Sequence, residues 1–184
     1  LNMDALMCID DLECKQGLQV LAEPAGRQTL VDRYGVDAGL AEQLGEVLGI
    51  SSVCNILGAI KTAKYYGFGK NDLIVTVATD GMDRYYSVME SMAECYGHLD
   101  QAAAVGRVER VFHGQRTDWI MRGTPEARQR WHNLKYYTWV EQQGKTVEEL
   151  DAQREPAWWQ AHQEMVHEID RLLLQHRQSE MSRA

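Results

Sequence analysis

The polar run Thr79-Asp80-Gly81-Met82-Asp83 places a hydroxyl and two carboxylates within five residues. It directly follows Leu73 to Ala78, an apolar run in which Ile74, Val75, Thr76 and Val77 are β-branched. That composition is expected of a strand covered on both faces. In open α/β sheets the carboxyl end of a strand is where ligands bind, so hydrogen bonding to a small ligand is the chemistry this loop offers. A second polar group, Gly49-Ile50-Ser51-Ser52, lies upstream. There a serine hydroxyl can accept a bond from an otherwise unpaired first-turn amide and cap a helix beginning near Val53.

The elements between these groups read as turn, helix, glycine-marked turn, strand, loop and helix. Ile56, Leu57, Ile60 and Ala63 recur at helical spacing, and Gly67 and Gly69 stop that helix. Upstream, Asp4 to Ile9 reads as a strand, and Asp10 or Asp11 caps a helix on which Leu12, Leu18 and Leu21 face a sheet. Glu23-Pro24-Ala25-Gly26 breaks the pattern, and short helices are expected over Arg27 to Tyr34 and Ala38 to Leu48. Downstream, a helix runs past Ser87 to Gly97, and Val105 to Phe112 alternates as an edge strand would.

From Thr117 onward the chain reads as helical. An aromatic helix over Pro125 to Gln143 ends at Gly144, and Thr146-Val147-Glu148-Glu149 has the S/T-x-x-E capping arrangement. Pro156 opens a final helix to Gln178, with Trp158, His162, Met165, Val166, Ile169, Leu172 and Leu173 on one apolar stripe. All five tryptophans fall in this tail, where packing is their expected use. His162 and His167 are five apart, which puts them on different sides of a helix, and no metal site is expected.

Gly49-Ile50-Ser51-Ser52, a helix rich in alanine and lysine, a strand, and Asp83-Arg84-Tyr85-Tyr86-Ser87 together resemble the carboxyl-terminal part of the cysteine synthase and cystathionine β-synthase family. That family belongs to the tryptophan synthase β-like group of pyridoxal phosphate enzymes, and the resemblance covers roughly residues 4–97. It implies pyridoxal phosphate as cofactor, a small amino-acid substrate and a homodimer. It implies β-elimination or β-replacement on a cysteine- or serine-derived amino acid, with threonine synthase- or dehydratase-like chemistry as the alternative. Alignment on Arg84-Tyr85 puts Gly81 or Asp80 in the slot of the hydroxyl that meets the cofactor's ring nitrogen, with Thr79 one or two residues earlier; of these three Thr79 is the favoured partner, with Asp80 next, while Gly49 and Ser51 resemble residues that line the cofactor. The Schiff-base lysine, the substrate-carboxylate loop and the glycine-rich phosphate cradle of the family precede this region and have no counterpart here. The resemblance therefore implies that the chain is the carboxyl-terminal portion of a longer enzyme, whose missing amino-terminal portion is its partner. A truncated or split portion acting only in assembly is the competing reading.

The formal net charge of −8 argues against general affinity for nucleic acid or an anionic membrane, both of which need a positive surface. Cys8, Cys14, Cys54 and Cys95 are scattered without a C-x-x-C pair, as in a cytoplasmic protein with reduced thiols. No apolar run approaches membrane-spanning length. The expected architecture is α/β: a partial three-layer unit with few parallel strands flanked by helices over residues 1–97, and a mainly helical tail over residues 98–184.

Overall fold

A computed structural model describes residues 3–181, with side chains through Ser179. The chain folds as two compact units, one of residues 7–120 and one of residues 121–184 together with residues 1–6. Among the described residues the elements are β1 (Ala5–Met7), α1 (Asp11–Ala22), α2 (Pro24–Tyr34), α3 (Ala38–Val47), α4 (Ile50–Tyr66), a 3-10 turn (Met82–Arg84), α5 (Tyr86–Tyr96), α6 (Gln101–Val108), β2 (Ile120–Arg122), α7 (Pro125–Tyr136), α8 (Val147–Ala152) and α9 (Pro156–Met181). β1 and β2 pair as a two-stranded ribbon.

The α/β expectation is overturned: the fold is mostly helical, and this ribbon is its one described sheet. Leu73 to Ala78 forms no strand in a sheet. Leu73, Val75 and Val77 are 87%, 83% and 65% exposed. The run has strand composition, but a strand exists only through the backbone partner beside it, and among the described residues no segment pairs with it. The expected edge strand over Val105 to Phe112 is instead helical, α6 continuing into a wider turn over Glu109–His113. Its buried residues are Ala104, Val108 and Val111, a spacing of four and then three. That is the helical period, which the valine alternation concealed.

In residues 7–120, α1 is the central element. Its Leu18 and Leu21 join Leu48, Val53, Leu57, Met82 and Val111 in one apolar cluster. Val20, on another side of the same helix, packs with Leu99, Ala104 and Val108. Asp10 caps α1 by accepting the Glu13 amide at 3.0 Å, as one of the two expected caps. Fully buried Gln19 is satisfied on every side: its amide donates to Glu23 Oε1 and the Gly97 carbonyl, and its oxygen accepts from Arg107. An unpaired amide there would cost about 1–3 kcal/mol. α2 crosses α1 closely, because Gly26 has no Cβ where one would lie 2.0 Å from the Val20 carbonyl oxygen.

In the other unit, Trp131, His132, Leu150 and Gln153 are buried. Thr146 and Glu149 form the anticipated capping box at the start of α8. All three prolines of the chain, Pro24, Pro125 and Pro156, are the first residues of helices, where a missing amide costs nothing. The packing expected of the tryptophans holds for Trp131, whereas Trp119 is 78% and Trp159 42% exposed.

Candidate functional site

α4 begins at Ile50, with Gly49 as its N-cap and no side-chain cap. The expected start near Val53, capped by Ser51 or Ser52, is corrected by one turn. Both serines lie inside the helix, and the Gly49 N–H is taken by the Asp80 carbonyl at 2.8 Å. This frees the Ser52 hydroxyl for a different task. It accepts the Thr79 amide at 2.9 Å and sits 3.2 Å from Thr79 Oγ1. One turn further on, Asn55 Nδ2 donates to the Val77 carbonyl at 2.9 Å. The segment Val77 to Asp80 is thus laced to the first two turns of α4 by hydrogen bonds to its backbone.

All four candidate residues therefore meet at one helix terminus. Thr79 donates its hydroxyl to Asp80 Oδ1 at 3.1 Å, and Tyr85 donates its own to Asp80 Oδ2 at 2.9 Å. The Tyr85 bond, followed by bonds from the loop backbone and Thr79, holds the Asp80 carboxyl below its ordinary value, so it is a carboxylate. The same bond pushes the Tyr85 phenol above its ordinary value, because the phenolate would face a carboxylate. Ser51 lies against the Tyr85 hydroxyl and is exposed, as is Thr79. The negative Asp80 also lies at the positive end of α4, which favours its charge.

Gly49 has a specific steric reason. A Cβ there would lie 2.3 Å from Tyr85 Cε2 and 2.7 Å from the Asp80 carbonyl oxygen. The close approach it permits is thus that of the Tyr85 ring and of the loop. Sequence reasoning left out Ser52, Asn55 and Tyr85 from the site, although all three bind the loop. The signal was available for Ser52, since a serine next to a helix start is free to bond a loop once the cap position is filled by backbone.

Two lysines of α4, the buried Lys61 and the exposed Lys64, were also not foreseen as anchors. Lys61 is 2% exposed, with Nζ donating to the Cys8 carbonyl at 2.8 Å and lying 3.6 Å from Asp118. Lys64 donates to the carbonyls of His113 and Gln115. Both ammonium groups are committed to backbone oxygens away from Thr79 and Asp80.

A cavity of about 660 Å³ lies elsewhere in the same unit, lined by Glu23, Glu42, Glu46, Asp83 and Glu90 against Arg27 and His98. It includes none of the four candidate residues. Arg27 is bonded to the carbonyls of Leu21 and Ala22, so the carboxylates dominate and the cavity disfavours an anionic group such as a phosphate. The convergence of polar groups around Asp80 is the stronger site on chemical grounds. Among the described residues no group of three or more His, Cys, Asp or Glu side chains is placed to hold a metal ion. No single described helix is long and apolar enough to cross a membrane. No known protein family, curated protein or solved structure matches the chain.

Proposed function

We propose that the Thr79–Asp80 loop and the start of α4 form one wall of a pyridoxal phosphate site, in an enzyme that carries out β-elimination or β-replacement on a cysteine- or serine-derived amino acid. The observation that carries this reading is the convergence of Gly49, Ser51, Thr79 and Asp80 around a single hydrogen-bonded loop, from positions thirty residues apart in sequence. The cofactor supplies an electron sink for the substrate's α-carbon. What this chain contributes is the polarity facing the ring nitrogen. Both Asp80 oxygens are engaged, by Thr79 and by Tyr85, and the Thr79 hydroxyl, exposed to solvent, would give its hydrogen to the ring nitrogen in place of Asp80 Oδ1. Thr79 is accordingly the ring-nitrogen partner, and a neutral hydroxyl leaves that nitrogen largely unprotonated, which suits loss of a β-substituent. Tyr85 and Ser52 are positioning residues: they hold Asp80 and the Thr79 backbone. In this reading the Schiff-base lysine is supplied by a further polypeptide segment; Lys61 and Lys64, the lysines of α4, are committed to backbone oxygens.

Pyridoxamine phosphate, which forms no Schiff base with surface lysines, is the probe for this wall. Its addition to the isotope-labelled chain is expected to shift the amide resonances of Gly49 to Ser52 and Thr79 to Tyr85, and Thr79→Ala is expected to weaken the effect severalfold. Shifts confined to the acid-lined cavity, or none, overturn the reading.

A second reading, assembly without catalysis, is favoured by the exposed run Leu73 to Val77. An extended apolar segment of this kind takes a neighbouring strand from a partner polypeptide.

A further inference from the structure

The cavity of about 660 Å³ in residues 7–120 carries charges that the fold itself does not use. Of its polar lining, Glu23 is occupied: it accepts the Gln19 amide at 2.7 Å and the Leu99 N–H at 2.6 Å, with His98 3.4 Å away. Arg27 is occupied as well, by the carbonyls of Leu21 and Ala22 at the end of α1. Glu42 and Glu46 of α3, Asp83 of the 3-10 turn and Glu90 of α5 also line the cavity, and their side chains have no ion pair or hydrogen bond among the described residues. Like charges gathered around one cleft repel unless a cation lies among them, and Glu42 and Glu46 stand one turn apart on the same helix face.

The end of α3 makes a second demand of the same sign. A helix leaves its last carbonyls without partners inside it. At the end of α1 the Arg27 guanidinium takes two of them. At the end of α3 the Leu48 amide takes the Leu44 carbonyl, but the Gly49 amide is drawn away to Asp80. The carbonyls of Gly45 and Glu46, both residues of the cavity lining, accept no hydrogen bond among the described residues. One helix end is thus closed by a cation rich in N–H groups, and its neighbour is left open.

The rest of the lining fixes the shape of the missing cation. Ala22, Met82, Met89 and the Tyr86 ring are its apolar part, Met82 being buried and Met89 half-buried. Thioethers pack against methylene groups, and an aromatic face attracts an ammonium. Among the described residues no three carboxylates are placed to hold a metal ion, so a point charge fits poorly and charge spread along an apolar chain fits well. The volume is that of a small-ligand site.

We propose that this cavity binds an aliphatic polyamine, with its ammonium groups on Glu42, Glu46, Asp83, Glu90 and the open carbonyls of α3, and its methylenes on Met82 and Met89. This goes beyond the cofactor reading and shares none of Gly49, Ser51, Thr79 or Asp80 with it, so either can fail without the other.

Titration of the purified, isotope-labelled chain with spermidine at low ionic strength, followed by calorimetry and NMR, is the test. Saturable binding is expected, with shifts of the Met82 and Met89 methyl groups and of the Gly45 to Leu48 amides. A neutral aliphatic diol of similar length, and magnesium ion, which has charge without a chain, should each bind far more weakly. Glu42→Gln with Glu90→Gln removes two charge-assisted bonds and should weaken spermidine about tenfold or more. Glu141→Gln with Glu148→Gln makes the same change of net charge in the other unit and should leave binding as it was. All four of these glutamates are exposed, so an unchanged melting temperature is the control for folding. Equal weakening by the two pairs, magnesium binding as tight as spermidine, or shifts spread over the acidic surface would mean diffuse attraction by net charge only. Any of these, or no binding, overturns the inference.

Discussion

Tyr85 donates its phenolic hydrogen to Asp80 Oδ2 across 2.9 Å, while the Asp80 carbonyl holds the N-cap of α4. One residue thereby ties the loop to the helix through its backbone and to the following turn through its side chain. The Asp80 carboxyl is lowered from its ordinary 3.8, so the stability it gives is present above that value and lost as pH falls through the folded-state value. The Tyr85 phenol is raised from its ordinary 10.0, so its stability is present below that value and lost as pH rises through the folded-state value. Protection of the Gly49 amide from hydrogen exchange is therefore expected to be greatest between these limits, after correction for the intrinsic exchange rate. Tyr85→Phe should lower the plateau and remove its alkaline limb; a profile identical to wild type would show that the bond does not hold the loop.

Gly49→Ala introduces a methyl into the Tyr85 ring and the Asp80 carbonyl, at 2.3 and 2.7 Å. Overpacking of this kind costs about 1–3 kcal/mol. A chain of this length loses about 2–4 °C of melting temperature per kcal/mol. The melting temperature of Gly49→Ala should fall accordingly, and Tyr85→Ala in the same chain should recover only part of the loss, because the carbonyl clash remains. An unchanged melting temperature would contradict the packing described.

Cys14 is buried against α4, and burial, reinforced by Cys54, pushes its thiol up to about 12. Thiolate is the reactive form, so Cys14 should be alkylated by iodoacetamide only as the fold opens. Cys8 and Cys95 are exposed and should react first. Peptide mapping after brief alkylation checks the order, and equal labelling of Cys14 and Cys8 would refute it.

His132 is 2% exposed, and burial, followed by the charge of Arg154, holds its imidazole below the usual value of 6.5 despite Asp151 nearby. Its neutral form belongs to the fold, so stability is present above 6.5 and declines as pH falls towards the folded-state value. Tryptophan fluorescence of the α7–α8 region, where Trp131 is buried beside it, should report loosening in mild acid. His132→Asn should shift that loosening to lower pH. A transition unmoved by the substitution would assign it to other groups.

Several helices were legible because their ends carried chemistry of their own: Asp10, Thr146 with Glu149, Pro125 and Pro156, and Gly35 and Gly67 in left-handed conformations; Pro24 was read as a break before a helix at Arg27, whereas α2 starts on it. The meeting of Thr79 and Asp80 with Gly49 was also legible, as was the polar character of the loop. The sheet was not. Composition reports that Leu73 to Val77 suits a strand, but a strand depends on a second segment that composition does not contain, and among the described residues none is paired with it. The α6 region failed for a different reason: Val105 and Val111 lie six apart, an even spacing that suits a strand, whereas the residues that pack, Ala104, Val108 and Val111, keep the helical spacing of four and three. The lacing by Ser52 and Asn55 was hidden because a polar residue near a helix start has two uses, capping its own helix or binding a neighbour, and only the position of the Asp80 carbonyl decides between them.

The exposed run from Leu73 to Val77 also governs how the chain behaves in a crowded solution. It combines high β-propensity, no charge and no proline, the signature of a segment prone to stacking into aggregates. Asp72 before it and Asp80 after it are charged gatekeepers, and Asp80 is held ionised by Tyr85. Because Tyr85 holds Asp80 ionised below its ordinary value, that charge stays in place in mild acid and goes on guarding the apolar run. The bond that fastens the loop to α4 is thus also a guard against aggregation of the segment it follows.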